Sequence, residues 1–169
     1  RDRSVSRGLG DVYKRQVNTD GGHAPMLGGG LCTTLHDYMR FLDMIYHNGV
    51  FEEKQILKPE TIHEMQADQV GNAEVHPGEY VERALKKHHT GIYGLGEWRE
   101  LIDKATGEAY QISSPGWAGA YPWINKQDRV YGFFIAHVQG SSQKEDGFSS
   151  FFGSPVISQT VSNIISLKR

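Results

Sequence analysis

The sequence predicts an α+β fold in which helices are segregated from an antiparallel sheet. Three observations carry this. Apolar residues recur at helical spacing in two segments before residue 67. Between residues 93 and 138 the pattern changes to short strand-like runs separated by turn residues. A last helical segment opens at Ser154-Pro155.

The elements follow in order. Val17 to Gly30 (VNTDGGHAPMLGGG) reads as a glycine-rich loop. Thr34 is a helix N-cap, with Asp37 three residues later as the reciprocal acid. Leu35, Tyr38, Met39, Leu42, Ile45 and Tyr46 then recur at helical spacing up to His47. Asn48-Gly49 ends the helix with residues that tolerate a left-handed backbone. Val50 to Leu57 reads as a short connection, and Pro59 suits the first turn of a second helix reaching Gln66, with Ile62 and Met65 on one face. Ala67 to Thr90 is polar and weakly patterned, a long loop or an insertion with some helix near Tyr80 to Lys87.

Tyr93 to Leu101 and Glu108 to Ile112 flank Asp103-Lys104-Ala105-Thr106-Gly107, a hairpin turn. Trp117 to Asn125 and Arg129 to Val138 read as two more strands, and the run VYGFFIAHV is apolar enough for a central one. In the last helix, Val156, Ile157, Val161, Ile164, Ile165 and Leu167 form the apolar side.

Bulk properties exclude several classes. The chain of 169 residues is long enough for one domain or a large piece of one. Its net charge of −2 does not point to nucleic acid. No apolar run is long enough to span a membrane. The single cysteine, Cys32, cannot build a disulfide framework within the chain and reads as a small packed residue. Residues 1–16 (RDRSVSRGLGDVYKRQ) show no period and carry five basic and two acidic residues, against 13 and 18 in the rest. They resemble translated adaptor read-through at the ends of metagenomic reading frames, and are read as a non-native scar. A basic arm for an acidic partner is the alternative. On the scar reading, residues 17–169 are the C-terminal portion of a longer bacterial domain, and a signal peptide would lie outside the chain.

Two stretches carry a resemblance. Gly28 to Met65 (GGGLCTTLHDYMRFLDMIYHNGVFEEKQILKPETIHEM) is similar to the glycine-rich, cap-and-helix segment of the β-lactamase-related serine hydrolases, the group that includes penicillin-binding, class C-like and esterase-like members. Tyr93 to Glu100 (YGLGEWRE), followed by Ser113 to Val138 (SSPGWAGAYPWINKQDRVYGFFIAHV), resembles the strands around that family's third active-site motif, usually Lys or His, any residue, then Gly. The resemblance implies a β-lactamase/transpeptidase-like antiparallel sheet flanked by helices, of which this chain supplies the C-terminal part.

It also implies a chemistry. Acyl transfer by a serine needs an activated hydroxyl, a base within reach and donors for the oxyanion. The family supplies nucleophile and base from Ser-x-x-Lys and Tyr-x-Asn or Ser-x-Asn motifs, both upstream of the glycine-rich segment. Neither is therefore expected here, and the chain alone is expected to be inactive. Ser114-Pro115-Gly116 aligns with the third motif, with Ser114 where a Lys or His is usual. That departure weakens a β-lactamase or transpeptidase reading, because the cation helps to hold a substrate carboxylate. Gly116 is expected to admit substrate to the strand backbone, and the Trp117 N–H to be one oxyanion donor. Ser113, Tyr121 and Trp123 are candidates for the substrate pocket, and Trp98 another aromatic wall.

Other motifs have plainer readings. Ser141-Ser142-Gln143-Lys144 fits Ser-x-x-Lys but sits in a polar loop, and Tyr46-His47-Asn48 fits Tyr-x-Asn but ends an amphipathic helix. His63-Glu64 lacks the second His of a zinc helix, and Gly28-Gly29-Gly30 lacks the Lys-Ser/Thr of a phosphate loop. His88-His89 is a solvated pair in a lysine-rich stretch. No cofactor or metal is implied. The expected partner is a small-molecule or peptide-like substrate, and self-association is expected if the chain is expressed alone. Family members are often exported, which leaves the compartment open. A non-catalytic binding homologue of the same fold is the alternative, and an unrelated α+β scaffold a third.

Overall fold

The computed structural model describes residues 33–73, 92–116, 119–136 and 153–168. The first helix, α1 (Leu35–Tyr46), starts where the capping chemistry places it. Thr34 is extended at φ −93° and ψ 160°, and its Oγ1 accepts the Asp37 N–H at 3.1 Å. Asp37 reciprocates through its carboxylate, which accepts the Thr34 hydroxyl at 2.8 Å. The helix stops at Asn48 and Gly49, with φ of +53° and +88°. Gly49 is required there, since a Cβ would collide with the Leu57 carbonyl.

The connection to the next helix holds a small hairpin, β1 (Val50–Phe51) and β2 (Lys54–Gln55), rather than plain loop. Its turn places Glu52 and Glu53 at φ +46° and +65°, a conformation that Asn and Gly usually supply. Arg40 holds the turn from α1, pairing with Glu52 at 3.3 Å and lying 4.8 Å from the Phe51 ring centroid. Helix α2 (Pro59–Gln66) has the predicted bounds, with Ile62 buried and Met65 half-buried.

The main sheet is antiparallel, in the order β3 (Trp98–Ile102), β4 (Ala109–Ser113), β5 (Ala120–Asn125), β6 (Val130–Ile135). The β3–β4 turn forms as predicted: Asp103 Oδ1 accepts the N–H of Ala105 at 2.7 Å, and Gly107 sits at φ +74°. β3 starts later than its pattern predicts, because Gly96, at φ +79°, turns the chain before Trp98. Tyr93 pairs with Trp98 only as an isolated bridge. The run VYGFFI is not central: among the described strands, β6 is at the edge. On one of its faces α1 covers Tyr131 and Phe133, while Ile135 is exposed. Phe133 packs on Tyr38 with centroids 4.9 Å apart, Tyr131 on Tyr46 at 5.3 Å, and the Tyr131 hydroxyl donates to Asp43 at 2.6 Å.

The core lies between α1, α2 and one face of the sheet, built from Leu42, Met44, Ile45, Ile62, Ala109, Ile112 and Ile124. The last helix, α3 (Ser154–Ser166), corrects the sequence reading. Its buried positions are Ser154, Ser158 and Ser162; of the predicted apolar side, Ile157, Val161 and Ile165 are half-buried and Val156, Ile164 and Leu167 exposed. Ser158 is within 3.4 Å of Gln111 and 3.3 Å of Tyr121, so this serine row meets the sheet face away from α1. Small side chains at four-residue spacing let the helix approach closely, and the sheet offers polar partners there.

Candidate functional site

The site grows from the end of β4. Trp98 pairs with Ser113, and β3 pairs no further along that strand. The preceding residues, Leu95 to Glu97, instead fold back, with the Gly94 N–H donating to the Glu97 carbonyl at 2.9 Å. Ser114 and Gly116 remain tied to β5: the Ser114 N–H donates to the Pro122 carbonyl at 3.2 Å and the Gly116 N–H to the Ala120 carbonyl at 2.7 Å. The third-motif stretch therefore borders a notch between β4 and the Leu95–Glu97 turn.

A cavity of about 410 Å³ opens at this notch. α1 provides Asp37, Tyr38, Phe41, Leu42 and Ile45, and α2 provides Met65. Leu95, Gly96 and Glu97 form one rim, and Ile112 to Ser114 with Pro122 to Ile124 form the floor. The lining is mostly apolar with a few polar groups, the usual composition of a small-molecule site.

The structure brings some of the predicted residues together. Ser113, Ser114 and Trp123 line the cavity. Ser114 is exposed and Ser113 buried, and the Ser113 hydroxyl points away, donating to Glu100 at 2.5 Å. The Trp123 ring stacks on Tyr121, 5.6 Å between centroids, and lies over Gly132, where a Cβ would overlap it. Tyr121 does not line the cavity. It is wholly buried, and its hydroxyl donates to the Glu100 carboxyl at 2.7 Å. Gly116 does not line it either. Its φ is not positive, and an added Cβ would meet only Ala120, at an ordinary 3.5 Å. Trp117, the oxyanion candidate, and Ser141 to Lys144 lie outside the described residues, as do Cys32, Gly28 to Gly30, and His88-His89. Tyr46-His47-Asn48 is a helix end, with Tyr46 packed on Tyr131.

Two acidic residues were not singled out from sequence. Glu100 is the extra residue of a β-bulge, between the pairs Arg99↔Ile112 and Leu101↔Gln111. Successive residues of a strand face opposite sides of the sheet. Arg99 thus serves the α2 side, donating to the Gln66 carbonyl at 3.0 Å, while Glu100 enters the α3 side. There its carboxyl meets Ser113, Tyr121 and the Gln111 amide at 2.6 Å. Burial pushes the Glu100 pKa up, and these three donors pull it partly back. Burial of the Tyr121 phenol and the neighbouring Glu100 charge also raise its pKa.

Glu97, on the cavity rim, is the second. Burial pushes its pKa up to about 7, against the opposing pull of Lys126. One of its carboxyl oxygens is buried with no hydrogen-bond partner. Consecutive charges in GEWRE, amid aromatic and apolar neighbours, are the signal that could have marked both acids. Among the described residues, no group of three or more His, Cys, Asp or Glu is placed to hold a metal ion, and no helix is long and apolar enough to cross a membrane.

Comparison with known proteins finds a likeness among solved structures. The chain matches a solved structure, "Crystal structure of putative beta-lactamase from Bacteroides dorei DSM 17855", at 77% identity and a TM-score of 0.78. The match covers 89% of this chain and 45% of that one, so the chain spans less than half the length of its β-lactamase-like relative. An antiparallel sheet flanked by helices, as the sequence predicts, is the fold found. No protein-family model matches the chain, and no curated protein does.

Proposed function

We propose that this chain is the C-terminal portion of a serine hydrolase that acts through an acyl-enzyme on an ester, amide or β-lactam. In this reading residues 1–16 are not native, and the nucleophile and base come from the part of the protein before Val17. The observation that carries it is the apolar cavity at Ser114, where the third-motif stretch runs beyond the end of its pairing with β3. The 77% identity to a β-lactamase-like structure supports it. The cavity takes the acyl group, and the Ser114–Gly116 backbone lies along the scissile bond. Loss of a nucleophile costs on the order of 10⁶ in rate in well-studied serine enzymes, so the chain alone is inactive. It also self-associates, because Leu35, Val156 and Leu167 are exposed apolar residues.

The test is a chimera that joins residues 17–169 to the upstream part of the Bacteroides dorei relative. The chimera is expected to hydrolyse p-nitrophenyl esters or nitrocefin, and residues 17–169 alone to leave them intact. Turnover by residues 17–169 alone at enzyme-like rates would refute the division of labour. A folded but inert chimera would favour a second reading, a non-catalytic binding homologue, which Ser114 in place of Lys or His supports.

A further inference from the structure

Depth separates the polar residues of the cavity from the apolar ones. Thr33, Asp37 and Ser114 line it and are exposed, so they stand at its mouth. Leu42, Ile45, Ile112 and Ile124 also line it and are at most 5% exposed, so they form its interior. Polar side chains further in are committed elsewhere. The Ser113 hydroxyl donates to Glu100 on the far side of the sheet. The Trp123 ring stacks on Tyr121, whose hydroxyl lies beside Ser158 of α3. The Glu97 carboxyl lies in the field of Lys126, which lines a different depression. A polar group carried into the interior would therefore lose its water without gaining a partner, whereas each methylene carried in exchanges water for hydrocarbon.

Volume sets the size of what can enter. At about 30 Å³ each, the share of a water in the liquid, roughly thirteen non-hydrogen atoms fill the cavity's 410 Å³. An octanoyl group fits within that, and an acetyl group would leave most of it to water. Around the mouth, the apolar surface continues outward through Phe41 and Leu95, which are 46% and 52% exposed. We propose that this cavity selects an uncharged, apolar acyl group of about eight carbons, so that the substrate is a hydrophobic ester or amide rather than a short-chain or polar-acyl one. The proposal rests on the reading of the cavity as the acyl site and names the class of acyl group that it takes.

Binding to the chain itself is measured by calorimetry, titrating all 169 residues with butanol, hexanol, octanol and a hexanediol that carries a hydroxyl at each end. Affinity is expected to rise about threefold for each methylene added. The diol is expected to bind at least about tenfold more weakly than hexanol, because its inner hydroxyl finds no partner. Met65→Trp, which fills the cavity from α2 and is checked for fold by circular dichroism, is expected to remove most of the gain between butanol and octanol. Leu95→Ser, at a half-exposed position on the rim, is expected to weaken octanol about threefold and covers a Met65 variant that fails to fold. Equal affinity across the alcohols, or a diol that binds as well as hexanol, would overturn the apolar selection. The chimera judges acyl transfer separately. Its kcat/KM on p-nitrophenyl esters, kept below micelle formation, is expected to rise about a hundredfold from acetate to octanoate and to level off at laurate. A chimera as fast on acetate as on octanoate would also overturn the apolar selection, with acyl transfer left standing. An affinity that rises with chain length, beside a folded chimera inert to every ester, would keep the apolar selection and refute acyl transfer.

Discussion

On the side facing α1 and α2, the sheet presents Ile112 and Ile124 to Leu42, Ile45 and Ile62. On the side facing α3, it presents Glu100, Gln111, Ser113 and Tyr121 to Ser158. Both sides are buried, yet one is sealed by hydrocarbon and the other by hydrogen bonds. The difference teaches how each helix is held. Apolar contacts are non-directional, so α1 is located by shape and volume. Hydrogen bonds are directional, so α3 is located by which hydroxyl reaches which acceptor. The polar side also carries more risk, because the hydroxyls of Ser154 and Ser162 and the Trp123 indole N–H are buried without partners.

The contrast can be broken at chosen points. Ile124→Ala should have the largest effect, a loss of about 2–5 kcal/mol in urea unfolding, because it opens a cavity under α1. A loss below about 1 kcal/mol would show that this face collapses around the gap and is less tightly packed than its burial indicates. Glu100→Ala comes next. It strips the acceptor from Ser113, Gln111 and Tyr121, for an expected loss of about 2–3 kcal/mol, whereas Glu100→Gln keeps an acceptor and should lose about 1 kcal/mol or less. Equal stability of the two variants would mean that the carboxyl does not organise the polar side. Gly132→Ala should cost about 1–3 kcal/mol, since the new methyl overlaps the Trp123 ring, and tryptophan emission should shift as the ring moves.

The smallest effect is a slope with pH. Burial holds the Glu97 pKa, at about 7, above its ordinary 4.5. Between those values the folded chain binds more protons than the unfolded chain, so stability is greatest below 4.5 and falls as pH rises through about 7. Glu100, also raised by burial, adds to the slope in the same sense. Urea midpoints across this window should fall in the unsubstituted chain and flatten in Glu97→Gln. A midpoint that rises with pH would contradict the assigned direction.

Local chemistry was legible in the sequence. The Thr34 cap, the Asn48-Gly49 stop, Pro59 and the Asp103–Gly107 turn each work through their nearest neighbours, so a few residues suffice to read them. Features that depend on partners distant in sequence were not. Among the described strands β6 has a neighbour on one side only, and hydropathy does not distinguish a neighbouring strand from a covering helix. α3 reads as packing its valines and isoleucines inward, but close approach to a polar sheet face selects serines instead. The Glu52-Glu53 turn lacks the residues that its φ values favour, so no turn signal was there to read. In the site, Ser113, Ser114 and Trp123 reach the cavity, while Tyr121 is drawn to Glu100 on the other face of the sheet. That meeting follows from the register of three strands, and none of them alone reveals it.

The β3–β4 turn has a practical consequence. Its hydrogen bonds close on themselves through Asp103, whose N–H also donates to the Glu108 carbonyl, and residues 103–108 face solvent. A short epitope or a fluorophore-bearing peptide spliced between Lys104 and Ala105 would disturb only the turn. The splice must spare Gly107, whose carbonyl accepts from the Arg99 guanidinium and so ties the tip to the body. This is the chain's natural handle for tethering it to a surface or tracking it in a mixture.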